Sequence, residues 1–406
     1  MADDVHGPVH EPVHGPVHVP EPEAVHVPGI VKPLPAAWFV PHDTNAEMRW
    51  DALRDADGGA AIGLHVPVER FFVRNHTRTP LIDPGTWRLR LFGTGLRGAP
   101  SADRPVEFSL DDLKALPRTR IDALIECAGN GRSYYASRQH QRVPGTPWAL
   151  GGIGSASWYG VRLADVLREA GLGPAAVDLL PAGLDPHYVV GGTDYGPVRR
   201  PLPVAKALDD VLLAYGMNGE PLTPDHGAPA RLVVPGWVGI ASIKWLGSIE
   251  VADRPLSSPW NTDFYRMFGP GHPPGGGAPL TAQVPKCAFE LAEGAVLAAG
   301  RTHRLHGRAW SGEAAVHRVE VSDDGGRTWR SAELHDEPRA HEWTRWSIDW
   351  RPGRPGRYEL CARATDRRGG TQPRSAEFNR EGYLFGAVVA HPVTVAAPPA
   401  PAGDRA

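Results

Sequence analysis

Hydrophobic and polar positions change period along this chain, and the changes divide it into pieces. Over residues 123–127 apolar and polar side chains follow a two-residue alternation, which predicts a strand with Leu124 and Glu126 on one face and Ala123, Ile125 and Cys127 on the other. Further short apolar runs predict strands at 86–92, 188–190, 211–215, 231–234 and 243–251. Helical spacing is rarer. Residues 45–55 read as a short helix opened by Thr44 or Asn45, and Ser109 with Asp112 resembles a capping box that opens a helix through Leu116, closed by Pro117. Residues 161–170 put Leu163, Val166 and Leu167 on one face, with Gly171 to end the helix. Strands and helices mix without a regular βαβ alternation, so the expected class is α+β with mixed sheets.

After residue 279 the character shifts to alternating strands and turn signals. Residues 319–329 form a hairpin pattern with Asp324-Gly325 in its turn, and 358–364 and 388–395 add strands. The expected architecture is an immunoglobulin-like β-sandwich over 280–396, following a first domain over 33–268 and a Gly/Pro linker at 269–279. Residues 1–32 carry a repeated Val-His-x-Pro unit in which proline excludes regular structure and little apolar surface offsets ordering, so a disordered tail is expected. Its His6, His10, His14, His18 and His26 could bind a divalent ion weakly, or the tail could be a plain spacer. Residues 397–406, rich in alanine and proline, are expected to fray.

Composition narrows the function classes. The 406 residues carry a formal charge of −3, which supplies no basic footprint for nucleic acid or an anionic membrane. Three widely spaced cysteines give neither a disulfide framework nor a zinc motif and fit a reducing compartment. With no run of about 18 apolar residues and no signal-like N-terminus, a cytoplasmic protein is expected.

The candidate chemistry gathers around Cys127. Gly129 and Gly131 break the chain after the strand and leave the thiol beside Arg132, where it is a nucleophile, a soft-metal ligand or a small buried apolar side chain. Other polar runs fall where loops should follow strands: Arg74, Asn75 and His76; His226 and Arg231; Ser242 and Lys244; Tyr265. A thiolate among these cations and imidazoles would make an anion-binding pocket with a metal ligand inside it.

From about residue 65 to 395 the sequence resembles the sulfite oxidase family of molybdopterin enzymes. The resemblance rests on Phe72-Val73-Arg74-Asn75-His76, on Glu126-Cys127-Ala128-Gly129-Asn130-Gly131-Arg132, and on Trp148 through Gly154 to Leu163. It continues in Met217 to Leu222, Pro224 to Gly227, Arg231 to Gly236 and Ile243 to Gly247, and then in Asp324 to Trp329, Asn379, Gly382 to Leu384 and His391 to Val393. It implies one molybdenum–molybdopterin per subunit, with Cys127 as the protein's ligand to the metal. Phe72, Val73, Arg74, Asn75, His76, His226, Arg231, Ser242, Ile243 and Lys244, with Asp185 by a looser match, would hold the pterin. Arg74, Arg132 and Tyr265 would face the substrate, a small oxyanion or sulfur compound. It further implies a sandwich that forms a homodimer. Residues 1–32 are too biased in composition to be a haem-binding domain, so no haem and a separate electron acceptor are expected.

The departures bear on the substrate. Family members that oxidise sulfite carry an arginine where Gly131 stands, and the dimer-domain arginine falls near Glu381, one place after Arg380. Three readings remain: oxidation of sulfite or a related sulfur species, reduction of a sulfoxide, N-oxide or nitrate, and a metal-free binding or scaffold protein.

Overall fold

The computed structural model describes residues 24–54 and 62–397, so the repeat tail up to residue 23 and the terminal segment from 398 lie outside the described residues. The α+β expectation holds. One five-stranded sheet runs Leu202–Pro203, Asp178–Gly183, Leu246–Ala252, Leu89–Phe92, Val106–Phe108, and it is mixed, because Leu246–Ala252 is parallel to Leu89–Phe92 and antiparallel to Asp178–Gly183. A second, antiparallel sheet runs Glu220–Pro221, Leu212–Met217, Ile153–Arg162, Arg118–Glu126, with Arg231–Val233 also pairing Leu212–Met217. Leu89, Leu179, Ile249 and Val251 of the first sheet meet Val161, Leu213 and Leu232 of the second, and the helix Leu163–Glu169 closes this core with Leu163, Val166 and Leu167.

The capping box forms as read: the Ser109 hydroxyl accepts from the Asp112 N–H, and the Asp112 carboxylate accepts from the Ser109 N–H at 2.8 Å, opening the helix Leu110–Ala115. The helix expected over 45–55 does not. Asn45–Met48 is a strand paired with Phe39–His42, followed by a 3-10 turn at Asp51–Leu53, and residues 55–61 lie outside the described residues. Tertiary pairing overrides propensity there. The Ala46 N–H donates to the Val73 carbonyl at 2.9 Å, and the Asn45 amide oxygen accepts from the Asn75 N–H at 2.8 Å. The start of the fold also needs correction. Ala24–Val25 pairs with Leu34–Pro35, Val27 and Ile30 are buried, and the Val31 and Lys32 N–H groups donate to the Asp225 carboxylate.

From Lys286 onward two sheets face each other: Lys286–Phe289, His303–Trp310, Thr344–Trp350, Glu333–Leu334, and Val296–Ala298, Ala390–Ala396, Gly356–Asp366, Val316–Ser322, Arg330–Ser331. Leu305, Trp346 and Trp350 interleave with Val319, Leu360 and Val393 between them, as a β-sandwich requires. The hairpin turn is held by Asp324, whose carboxylate accepts from the Arg327 and Thr328 N–H groups. The glycine-rich stretch before the sandwich folds back on the first unit. The Gly277 N–H donates to Met267, and the Leu280 N–H donates to the Tyr265 carbonyl at 2.8 Å.

Candidate functional site

Loops that leave the strand ends converge on one cavity, which holds about 730 Å³ of space between side chains when its open mouth is counted. Cys127 stands directly after the strand Arg118–Glu126. Its alternation holds: Ile125 and Cys127 line the cavity, whereas Glu126 turns the other way into the sandwich. The loop following the 3-10 turn Val68–Arg70 contributes Phe72, Arg74, Asn75 and His76. The turn Pro224–His226 supplies His226, the start of Arg231–Val233 supplies Arg231, and the loop after Gly239–Ala241 supplies Ser242, Ile243 and Lys244. Asp185 and Tyr265 complete the set.

Two hydrogen-bonded groups form within it. In the first, Arg74 donates to His76 Nε2 at 3.0 Å, and the Tyr265 hydroxyl lies 3.0 Å from the same nitrogen. Burial, then the Arg74 and Lys244 charges, hold the His76 pKa well below its ordinary value, so the ring is neutral with Nε2 as the acceptor. Burial opposes the Arg74 charge, yet Tyr265, Cys127 and Tyr383 around it together hold its pKa above the usual arginine value. Tyr383 of the sandwich stacks on Tyr265 with centroids 5.0 Å apart, so both units shape this corner.

In the second group, Arg231 donates to the carbonyls of His226 at 3.0 Å and Ser242 at 2.9 Å. The Ser242 hydroxyl accepts from the Val234 N–H at 3.0 Å, and Lys244 donates to the Asp225 carbonyl at 2.8 Å and to Asn75. Asp185 accepts from the Val198 N–H, and burial raises its pKa. Burial pushes Arg231 down to about 9 and lowers Lys244 well below the ordinary lysine value, with Arg231 adding to the latter effect. Burial and the Lys32, Lys244 and Arg231 charges likewise keep His226 neutral. Cations desolvated to this degree call for an anion beside them. The donor set therefore fits an anionic cofactor that brings a thiolate-seeking metal: a soft sulfur at Cys127, and cationic and backbone donors for a phosphate around Lys244.

Two expected residues do not line the cavity. Val73 is paired with Ala46, and its side chain packs with Val27, Ile30 and Phe39. Arg132 is turned aside: it donates to the Glu381 carbonyl at 3.1 Å and the Thr146 carbonyl at 3.0 Å and is absent from the lining. Arg380 is also elsewhere, over the Phe268 ring and beside Glu381. Sequence reasoning missed Asp225, although it sits inside a quoted motif, and Lys32, which the tail's composition concealed. Lys32 donates to the Val68 carbonyl at 3.2 Å and to Phe71, and burial lowers its pKa to about 7.

Comparison with known proteins bears on this arrangement. Residues 76–260 match a model of the oxidoreductase molybdopterin-binding domain, and residues 287–391 match a model of the Mo-co oxidoreductase dimerisation domain. Sulfite oxidase of Gallus gallus is 35% identical over 339 residues, which cover 78% of this chain and 70% of that protein. This chain belongs to the sulfite oxidase family. The mitochondrial sulfite oxidase of Drosophila melanogaster is 32% identical across 90% of the chain and 66% of its own length. The Mus musculus enzyme is 37% identical and covered over 60%, so the chain spans under two thirds of these relatives. The crystal structure of the sulfane dehydrogenase SoxCD from Paracoccus pantotrophus superposes with a TM-score of 0.71 at 26% identity, covering 94% of this chain and 92% of that one. Among the described residues no helix is long and apolar enough to cross a membrane.

Within this family the glycine at 131 has a structural cause here. Its φ is +93°, in the left-handed region, and a Cβ would lie 3.1 Å from Phe385 Cβ. Any side chain at this position is strained. Gly131→Ala is expected to destabilise the chain by about 1–2 kcal/mol in urea unfolding.

Proposed function

We propose that this chain oxidises sulfite or a closely related small sulfur species, taking the oxygen atom from water and passing two electrons to a separate acceptor. The observation that carries the reading is the junction of Cys127, Arg74, His76 and Tyr265 in one cavity, within a family whose sulfite oxidases match most of the chain. Cys127 would hold molybdenum, while Phe72, Asn75, His76, Asp185, His226, Arg231, Ser242, Ile243 and Lys244 would hold the pterin. When bound, that group supplies the two-electron oxygen-atom exchange.

The chain's own residues do the rest. Arg74, with one nitrogen engaged by His76, retains further N–H donors for a substrate oxyanion in a water-poor site. Tyr265 holds its proton, because burial raises its pKa, and donates it toward His76 Nε2 or a substrate oxygen. Arg74→Gln should lower kcat/KM for sulfite by about 10²–10³-fold, read in dye-coupled assays of cofactor-loaded protein.

The retraction of Arg132 and Arg380 favours a second reading, reduction of a neutral sulfoxide or N-oxide, which needs fewer guanidinium donors. Sulfite-dependent dye reduction supports the first reading; sulfoxide-dependent dye oxidation without it selects the second. For the assembly we propose a homodimer through the sandwich, which light scattering should report near twice the 43.8 kDa chain mass.

A further inference from the structure

A cluster outside the cavity lining remains without a role. His65, Asp122 on the strand Arg118–Glu126, and Glu342 just before the strand Thr344–Trp350 each offer one ligand atom, and those atoms all lie within 4.8 Å of one another. Neighbouring contacts tie the three segments to one another. The Leu124 N–H donates to the His341 carbonyl at 2.8 Å, and the Trp343 indole donates to the Leu64 carbonyl at 2.7 Å.

Asp122 is engaged by Arg120 at 3.2 Å, but the other two groups are left short of partners. His65 Nε2 is buried and has no hydrogen-bond partner among the described residues, although Asp122 Oδ1 lies only 3.3 Å away. Glu342 is 7% exposed, and its one ion-pair partner among the described residues is Arg339 at 3.9 Å. Two carboxylates thus face each other beside an imidazole whose nitrogen points in unpaired. Burial, helped by the Arg120 charge, lowers the His65 pKa despite Asp122, which keeps the ring in its neutral, ligating form. Nitrogen and oxygen ligands about 2.0–2.2 Å from a tetrahedral ion stand about 3.3–3.5 Å apart, which is the His65–Asp122 separation.

We propose that His65, Asp122 and Glu342 form a binding site for a divalent first-row ion of the zinc class, with water in the remaining position, clasping the sandwich to the strand that carries Cys127. Side-chain exposures of 27% for His65 and 20% for Asp122 leave solvent a way in. Arg120, 3.2 Å from Asp122, is 66% exposed and free to swing away as the ion binds.

The test uses the full, cofactor-loaded chain in which His6, His10, His14, His18 and His26 are glutamine, so that metal uptake reports on the other histidines and carboxylates alone. Titrated with Co²⁺, it should bind one equivalent with the visible absorption of a four-coordinate nitrogen–oxygen site, and Zn²⁺ should raise its thermal midpoint. His65→Gln, Asp122→Asn and Glu342→Gln should each weaken Co²⁺ binding at least tenfold and abolish the Zn²⁺ shift, with far-UV spectra unchanged. No uptake by the parent, or uptake unaltered in the folded variants, overturns the site.

Discussion

Cys127→Ser, in protein produced with its cofactor, should lose sulfite-dependent activity by more than the about 10–100-fold typical of removing an outer partner of a metal. The exchange changes one atom. Residue 127 is 8% exposed, and its N–H donates to the Gly152 carbonyl at 2.8 Å, a contact serine keeps, so the fold and the pterin donors around Lys244 are untouched. What disappears is the soft sulfur donor; a hard serine hydroxyl beside Arg74 does not match the metal's preference. The measurement is turnover per bound pterin, alongside molybdenum content. A serine variant with parental turnover would remove Cys127 from the metal and leave Arg74, His76 and Tyr265 without a reacting partner.

The strand that delivers this residue was legible because its alternation is regular, and the structure confirms that Ile125 and Cys127 face the cavity while Glu126 faces away. The Ser109 cap was legible for the same reason: its signal is local. Non-local packing hid other elements. Ile153–Arg162, ten residues long and central to its sheet, contains glycine, serine and alanine where strands usually carry branched side chains. Those small residues answer close neighbours: a Cβ on Gly154 would lie 2.4 Å from the Phe71 ring, and one on Gly160 would lie 2.0 Å from the Leu213 carbonyl. Within the candidate site, motif matching placed residues in the right segments but could not orient them. Val73 follows strand-like pairing away from its neighbours Phe72 and Arg74, and Arg132 is drawn aside by carbonyls at Thr146 and Glu381, the latter far along the chain. Lys32 was invisible because its partners lie at residues 68 to 71 and at Asp225, whereas the composition around it reads as tail.

Lys286→Met is expected to destabilise the protein by about 3–5 kcal/mol, because it leaves a buried carboxylate without its cation. Lys286 Nζ lies 2.7 Å from Glu126 Oε1 and donates to the Asn130 carbonyl, also at 2.7 Å, and both side chains of the pair are 3% exposed. Glu126 accepts as well from the Asn130 amide at 2.8 Å and from the Trp310 indole at 3.1 Å. The sandwich thus supplies an ammonium and an indole to the residue immediately before Cys127, and the bend that aims the thiol is held from the opposite face of its strand. Removing the ammonium should therefore lower the urea midpoint and also reduce turnover, though by less than Cys127→Ser. The double variant with Glu126→Gln separates the causes. A neutral amide keeps acceptor capacity for Trp310 and carries no charge, so most of the lost stability should return. A double variant no more stable than Lys286→Met alone would place the loss in packing around Lys286 rather than in the charge left on Glu126.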